Sequence, residues 1–145
     1  MCGVLFQYRK GNDISLERFS HSLSLQKHRG PDHQGIVFTN DRETREFRSF
    51  FKTSNENKND QVHMAFGHQR LSIVDLSSNS NQPVVSNKNN IMIFNGEFYN
   101  FLEHVQTKET AKSDTLTLCH ILEEKGFVAL NDVNGMYGLC YYIAE

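Results

Sequence analysis

Apolar residues fall mainly into short runs and alternating stretches, which predicts many strands and few helices. The run Val4-Leu5-Phe6 begins almost at the first residue and is typical of a buried strand. In the segment 62–70 every second residue lies on one face of the predicted strand. The first three residues of this face, at 62, 64 and 66, are apolar, and the last two, His68 and Arg70, are polar. Further strands are predicted at residues 35–39, 46–51, 84–85, 91–94 and 136–143.

Turn residues separate these strands. Asn87 to Asn90 predict a hairpin that joins 84–85 to 91–94. We expect the strand at 91–94 to end at Asn95-Gly96-Glu97 and a short helix to follow at residues 98–102. Residues 53–61 contain no apolar side chain and therefore predict a surface loop.

A first helix is predicted after Ser15, whose side chain is a candidate N-cap. Leu16, Phe19 and Leu23 recur at helical spacing and would form one apolar face. Because an apolar helix face is stable only when it is buried, we expect this helix to pack against a sheet.

A second helix is predicted from Ser113, another candidate N-cap, to Lys125, with Gly126 as the stop. Its apolar positions form a stripe that includes Cys119, which we interpret as a packing residue. The last turn, Glu123 to Lys125, is expected to face water.

The predicted elements indicate a single domain with two antiparallel sheets and helices outside them, an α+β layered fold. A length of 145 residues suits one domain, and neither an internal repeat nor a domain boundary is visible. Residues 1–145 are thus expected to form one unit.

Charge and cysteine usage narrow the function classes. With 15 basic and 17 acidic residues the net charge is −2, which disfavours nucleic-acid and anionic-membrane binding. The three cysteines form no C-x-x-C pair and cannot all pair with one another, which favours a reducing compartment. No signal peptide or bilayer-length apolar segment is visible, so we expect a cytoplasmic protein. The seven histidines are scattered and predict no metal site.

Cys2 is the first candidate for chemistry. Removal of Met1 would place its thiol and a free α-amine on the same residue, giving a nucleophile and a base together. The α-amine titrates near pH ~8, which suits a general base at neutral pH. The alternative is that Cys2 is an ordinary small apolar residue near a chain end. The apolar run at 4–6 disfavours a frayed end, because it would fix Cys2 in place.

Six motifs in order identify a family resemblance. They are Met1-Cys2-Gly3, His28-Arg29-Gly30-Pro31-Asp32, the segment 67–75, Asn81-Gln82-Pro83, the segment 94–100 and Ser113-Asp114-Thr115. Together they resemble the N-terminal glutaminase domain of asparagine synthetases, a class II glutamine amidotransferase, over nearly the whole chain. The resemblance implies the N-terminal-nucleophile hydrolase fold, in which two stacked antiparallel sheets are flanked by helices (αββα).

The resemblance also implies catalytic roles. Cys2 would attack the side-chain amide of L-glutamine and form a glutamyl thioester, releasing ammonia. Asn95 and the backbone N–H of Gly96 would hold the oxyanion, as preorganised donors do in acyl transfer. Taken alone, Asn95-Gly96 would be interpreted as a simple turn.

Substrate-binding residues follow from the same resemblance. Arg70 would bind the α-carboxylate of glutamine, and Asp114 would bind its α-ammonium. The alternative for Asp114, compatible with the first, is a carboxylate at a helix start. The remaining pocket residues implied are Leu71, Ser72, Ile73, Val74, Asn95, Gly96 and Glu97.

Three histidine and arginine positions are expected to be structural. His28 and Arg29 would fix the loop that contains them. His68 is interpreted as a satisfied buried histidine, because the α-amine already supplies a base.

Two departures from the family pattern stand out. Leu116 replaces the glutamate that would complete a capping box with Ser113. The family continues into further strands and a separate synthetase domain, so we expect this domain to be incomplete at its C-terminus and to lack its last strands. No cofactor is implied for it, since ATP and Mg²⁺ belong to the missing synthetase domain.

The resemblance also implies a substrate and a partner. We expect L-glutamine as substrate and a synthetase domain or partner chain as the acceptor of ammonia, with no nucleic acid or membrane partner. The sequence does not set the oligomeric state, and a homodimer is compatible with it. The rival interpretation is a non-catalytic glutamine-sensing or partner-docking module that retains the pocket.

Overall fold

The computed structural model describes residues 1–10, 13–39, 44–47, 62–73, 76–105 and 113–144, with backbone only at 44–47. The whole loop predicted at 53–61, and residues 48–51 of the strand predicted at 46–51, lie outside the described residues. No helix in the described ranges has the length and apolar character needed to cross a membrane.

Seven described strands form two antiparallel sheets. Sheet 1 has the order β1-β4-β2-β3 and contains β1 (Gly3–Tyr8), β2 (His33–Thr39), β3 (Thr44–Phe47) and β4 (Met64–Arg70). Sheet 2 has the order β5-β6-β7 and contains β5 (Val84–Val85), β6 (Ile91–Phe98) and β7 (Gly135–Tyr142). All pairings in both sheets are antiparallel, as predicted. The hairpin predicted at Asn87 to Asn90 joins β5 to β6.

Both predicted helices are present with their predicted caps. In α1 (Leu16–Ser24) the Ser15 hydroxyl accepts the backbone N–H three residues on, over 3.3 Å. In α2 (Asp114–Lys125) the Ser113 hydroxyl accepts the Leu116 N–H over 3.3 Å. The serine bond of the capping box is therefore formed although no glutamate is present to complete the box. Gly126 ends α2 with φ of 65°, a left-handed conformation that glycine adopts at no steric cost.

Short 3₁₀ helices connect these elements, at Lys27–Arg29, Ser78–Ser80, Phe101–His104 and Gly126–Asp132. The helix predicted at residues 98–102 therefore begins three residues later than expected.

Three apolar clusters show that the elements stack in four layers. The first lies between α1 and sheet 1 and includes Phe19, Leu23, Ile36 and Ala65. The second lies between the sheets and includes Val37, Phe66, Ile91 and Ile93. The third lies between sheet 2 and α2 and includes Phe94, Phe98, Leu118, Cys119 and Leu122. The order is therefore helix, sheet, sheet, helix, and Cys119 is a packing residue as predicted.

The structure corrects two predictions. The strand expected to end at Asn95-Gly96-Glu97 continues through them as β6, because β7 pairs with it along its whole length. Glu123 was expected to face water, but its carboxylate accepts the Ser86 hydroxyl over 2.5 Å and the Lys88 backbone N–H over 3.1 Å. This contact ties the end of α2 to the β5–β6 hairpin.

Candidate active site

The side-chain alternation of the strands brings polar residues from both sheets to one end of the gap between them. On β4, Phe66 faces sheet 2, and Arg70 lies four residues further on the same face. On β6, Ile93 faces sheet 1, and Asn95 follows on the same face. A cleft of about 240 Å³ opens here. Its lining includes the predicted Cys2, Arg70, Leu71, Ile73, Asn95, Gly96, Glu97 and Asp114.

One described pocket residue of those predicted, Ser72, is not among those that line the cleft. Ser72 uses its backbone N–H to donate to Asp32 Oδ2 over 2.8 Å, which holds the loop after β4. Val74 lies outside the described residues. The structure adds lining residues that were not selected from sequence: Met1, Ser80, Gln82, Phe94, Tyr99, Ser113, Thr115 and Met136. Six of these lie in the motifs that carry the family resemblance, namely Met1, Gln82, Phe94, Tyr99, Ser113 and Thr115, whereas Ser80 and Met136 do not.

Cys2 is half-buried and anchored from two directions. The backbone N–H of Leu71 donates to its sulfur over 3.4 Å, and Arg29 Nε donates to its carbonyl oxygen over 3.0 Å. Arg29 therefore fixes the chain end itself, which is more than the loop-fixing role expected. His28 has a local role, since its Nδ1 contacts the carbonyl of Leu25 at the end of α1 over 3.1 Å.

Asn95 and Gly96 lie inside β6, where the ladder orients their backbone. Antiparallel pairing turns alternate N–H groups to opposite edges, so those of Phe94, Gly96 and Phe98 point away from β7. Gln82 Oε1 accepts the Phe94 N–H over 2.6 Å, and Asp114 Oδ2 accepts the Phe98 N–H over 3.3 Å. The N–H between them, that of Gly96, lies at the same edge, and Gly96 is one of the residues that line the cleft.

Only glycine fits at position 96. Its φ is 155°, which side-chain-bearing residues rarely adopt, and an added Cβ would lie 2.2 Å from the carbonyl oxygen of Met136. The neighbouring Asn95 Oδ1 is buried and has no hydrogen-bond partner within the part of the chain that the structure describes. A polar group in that state favours a ligand that can hydrogen-bond to it.

Arg70 is 6% exposed and is oriented by two neutral oxygens. Its Nη1 donates to the carbonyl of Ser77 and to Oδ1 of Asn81, each over 2.7 Å. The Asn-Gln-Pro motif thus has a contact with the predicted carboxylate-binding residue. Beside Arg70, burial lowers the pKa of His33, and the guanidinium charge lowers it further.

Asp114 is the first residue of α2, and both its carboxylate oxygens are used. Oδ1 accepts the backbone N–H of Thr115 over 2.7 Å, while Oδ2 accepts that of Phe98 over 3.3 Å. The carboxylate therefore sits at a helix start, as the alternative interpretation expected, and it also lines the cleft.

His68 is fully buried between the sheets and is neutral at physiological pH. Burial lowers its pKa to about 4, although the bond from its Nε2 to the carbonyl of Phe94, over 3.2 Å, raises it. A carbonyl can only accept, so Nε2 carries the hydrogen. Nδ1 lacks a partner among the described residues, so His68 is buried as predicted but only half satisfied.

Comparison with known proteins decides the family. Residues 53–145, more than half of the chain, match the family model described as a glutamine amidotransferase domain. The chain belongs to the glutamine amidotransferase domain family. This amidotransferase match does not extend to the segment that contains Cys2.

Relatives of this amidotransferase confirm the resemblance to asparagine synthetases. A putative glutamine-hydrolysing asparagine synthetase of Methanocaldococcus jannaschii is 27% identical over 98% of this chain and 28% of its own length. Asparagine synthetase B of Escherichia coli is 25% identical over 100% of this chain and 24% of its own length. The amidase chry2 of Gibberella zeae is 34% identical over 59% of this chain and 10% of its own length. The chain thus spans about a quarter of the length of each of these two asparagine synthetases.

Proposed function

We propose that this chain is the glutaminase part of an asparagine synthetase-like amidotransferase and hydrolyses L-glutamine to glutamate and ammonia. One observation carries the proposal: Cys2, Arg70, Asn95, Gly96 and Asp114, from four separated segments, line a single cleft. The layer order helix, sheet, sheet, helix and a nucleophile at the chain start support the N-terminal-nucleophile hydrolase fold.

The proposed reaction begins once Met1 has been removed. The free α-amine of Cys2 takes the thiol proton, and the sulfur attacks the side-chain amide carbon of glutamine. The carbonyl electrons move to the oxygen, which receives hydrogen bonds from the Asn95 side-chain amide and the Gly96 N–H. When this intermediate collapses, the carbon–nitrogen bond breaks and the nitrogen leaves as ammonia with the proton from the amine. Water then attacks the glutamyl thioester and releases glutamate and the thiol.

Selectivity for glutamine would come from its two charged α-substituents. Arg70 provides a planar guanidinium for the carboxylate, and Asp114 provides a carboxylate for the ammonium. Leu71 and Ile73 would contribute backbone contacts, and Glu97 a further side chain. The ammonia would pass to a synthetase domain or partner chain, which would use ATP and Mg²⁺ for the acceptor reaction.

The test is glutamate release from L-glutamine by Cys2→Ala beside the parent chain. Cys140→Ala is the matched control, because Cys140 is also half-buried but packs between the sheets. We expect loss of activity in Cys2→Ala alone, and equal activity in parent and Cys2→Ala would contradict the mechanism. Intact mass supplies a second check, since a chain that retains Met1 has no free α-amine on Cys2.

A binding-only module is the other outcome that the experiment can reveal. A glutamine-like chloroketone should alkylate Cys2 in the parent chain and leave Cys2→Ala unmodified. Binding of glutamine without alkylation or turnover would assign the chain a sensing or docking role instead.

A further inference from the structure

We propose that Gln82 is a positioning residue that holds the strand segment before Asn95 and Gly96 in the geometry needed to bind the oxyanion. This inference rests on the proposed glutaminase function and assigns a role to the middle residue of the Asn-Gln-Pro motif. Gln82 is 5% exposed, although glutamine is usually a surface residue.

The side chain of Gln82 forms hydrogen bonds to β6 at a position where no described strand pairs with that edge. In the β5–β6 ladder Val84 lies opposite Met92 and Val85 opposite Ile91, so the same register continued would place residue 82 opposite Phe94. Sheet pairing stops at Val84, but the Gln82 amide makes the two bonds that a neighbouring strand would make. Its Oε1 accepts the Phe94 N–H over 2.6 Å, and its Nε2 donates to the Phe94 carbonyl over 3.0 Å.

Sheet 1 supports this arrangement from the other side. His68 Nε2 donates to the same Phe94 carbonyl over 3.2 Å, so that one oxygen accepts two hydrogen bonds. Gly35, which pairs with His68 in sheet 1, allows the Gln82 backbone to approach closely. A Cβ at position 35 would lie 2.0 Å from the Gln82 carbonyl oxygen.

These contacts act on the oxyanion-binding groups through the backbone. The Phe94 carbonyl and the Asn95 N–H belong to one planar peptide unit, so bonds at the carbonyl fix the plane from which Asn95 projects. The N–H of Gly96 points to the same edge of β6 as the Phe94 N–H, to which Gln82 is bonded. Catalytic donors must be held close to the oxyanion position, and a shift of about 1 Å can cost ~100-fold in rate.

The first test compares Gln82→Met, which keeps the side-chain length and removes both bonds, with Gln69→Met. Gln69 is also buried, at 2%, and its amide bonds to the Leu23 carbonyl and Gln34, on the face of sheet 1 that α1 covers. We expect Gln82→Met to lower kcat for glutamate release about 10- to 100-fold while KM changes less than about threefold. Gln69→Met should keep kcat near the parent value.

The second test reports on the oxyanion site itself. The γ-semialdehyde of glutamate can add the Cys2 sulfur to its aldehyde carbon, with the carbonyl electrons and a proton passing to the oxygen. That oxygen occupies the position of the oxyanion, so we expect Gln82→Met to weaken aldehyde binding about 10- to 100-fold. Glutamate, which needs only Arg70 and Asp114, should bind both proteins equally. If Gln82→Met does not fold, Gln82→Glu takes its place, because it keeps the acceptor for Phe94 N–H and loses the donor.

The outcomes separate this inference from the function on which it rests. An active parent together with a folded Gln82 variant of unchanged kcat and aldehyde affinity overturns the positioning role. So does a rise in KM with unchanged kcat, which would make Gln82 a substrate contact, or an equal loss in Gln69→Met. A parent chain that neither releases glutamate nor binds the aldehyde overturns the proposed function, and this inference with it.

Discussion

Asp114 joins helix α2 to strand β6, because its Oδ2 accepts the backbone N–H of Phe98 over 3.3 Å. Its other oxygen accepts the N–H of Thr115 over 2.7 Å at the helix start. Each carboxylate oxygen has two acceptor sites, so these bonds leave capacity for a substrate ammonium. A structural role and a binding role can therefore reside in the same side chain.

Replacing Asp114 by Asn should separate the two roles. The amide oxygen can still accept one backbone N–H, but the negative charge is lost, so we expect KM for L-glutamine to rise about 10- to 100-fold. The measurement compares L-glutamine with glutaramate, which lacks the α-ammonium. The parent should prefer glutamine strongly, and Asp114→Asn should not. The exposed Asp132→Asn is the control, and an unchanged preference in Asp114→Asn would argue against ammonium binding.

Removal of the Asn81 side chain should weaken substrate binding through Arg70. Asn81→Ala deletes an acceptor that orients Arg70 Nη1, so we expect KM for glutamine to rise about three- to tenfold, the size of one hydrogen bond. Turnover at saturating glutamine should change little. Asn79→Ala is the matched control, because Asn79 is exposed and lies in the 3₁₀ helix that ends just before Asn81. A fall in kcat with unchanged KM would contradict the expected role.

Gly96→Ala should destabilise the domain and abolish turnover. The positive φ and the contact with the Met136 carbonyl mean that an added Cβ forces a backbone change, at a cost of about 1–3 kcal/mol in the free energy of unfolding. Gly138→Ala on the paired strand is the control, because a Cβ there meets no atom within 4 Å. Urea unfolding of both variants checks this, and equal stability would refute the steric argument.

Stability should fall as the pH falls from about 6.5 towards 4, because of His68. Its pKa in the folded protein, about 4, is below the ordinary value of 6.5, so the unfolded chain binds more protons in this window. The contribution is fully present above pH ~6.5, and a shift of this size corresponds to roughly 3 kcal/mol. The positive charge of Arg70 adds to the effect of burial.

The pH dependence can be assigned with two variants. His68→Gln removes the titrating group and should flatten the plot of the free energy of unfolding against pH, although it also lowers stability. His21→Gln, at an exposed position of α1, should keep the slope of the parent. Equal slopes in all three proteins would mean that other groups control acid stability.

Local patterns were sufficient for much of the fold. Ser15 and Ser113 cap the two helices as predicted, because capping depends on residues a few positions apart. The antiparallel strands and the β5–β6 hairpin follow from alternation and turn residues. The family motifs also selected residues that the folded chain brings to one cleft.

Other features were not predictable from a local pattern. Asn95-Gly96 resembles a turn, and only the pairing with β7 makes it part of a strand. Glu123 lies on a helix end that looks solvent-facing, but the β5–β6 hairpin supplies Ser86 as its partner. A contact between distant segments leaves no periodic signal in either of them.

The amino-acid sequence by itself determined the two α-helices, most of the strands, the α+β class and half of the residues that line the cleft, since these depend on side-chain spacing and on motifs of a few residues. Tertiary structure alone decided how the cleft is held. Gln82 and His68 reach the Phe94 carbonyl, and Arg29 reaches the Cys2 carbonyl, only because packed sheets bring their segments together. Buried polar groups need partners, and the fold decides which groups are near enough to provide them.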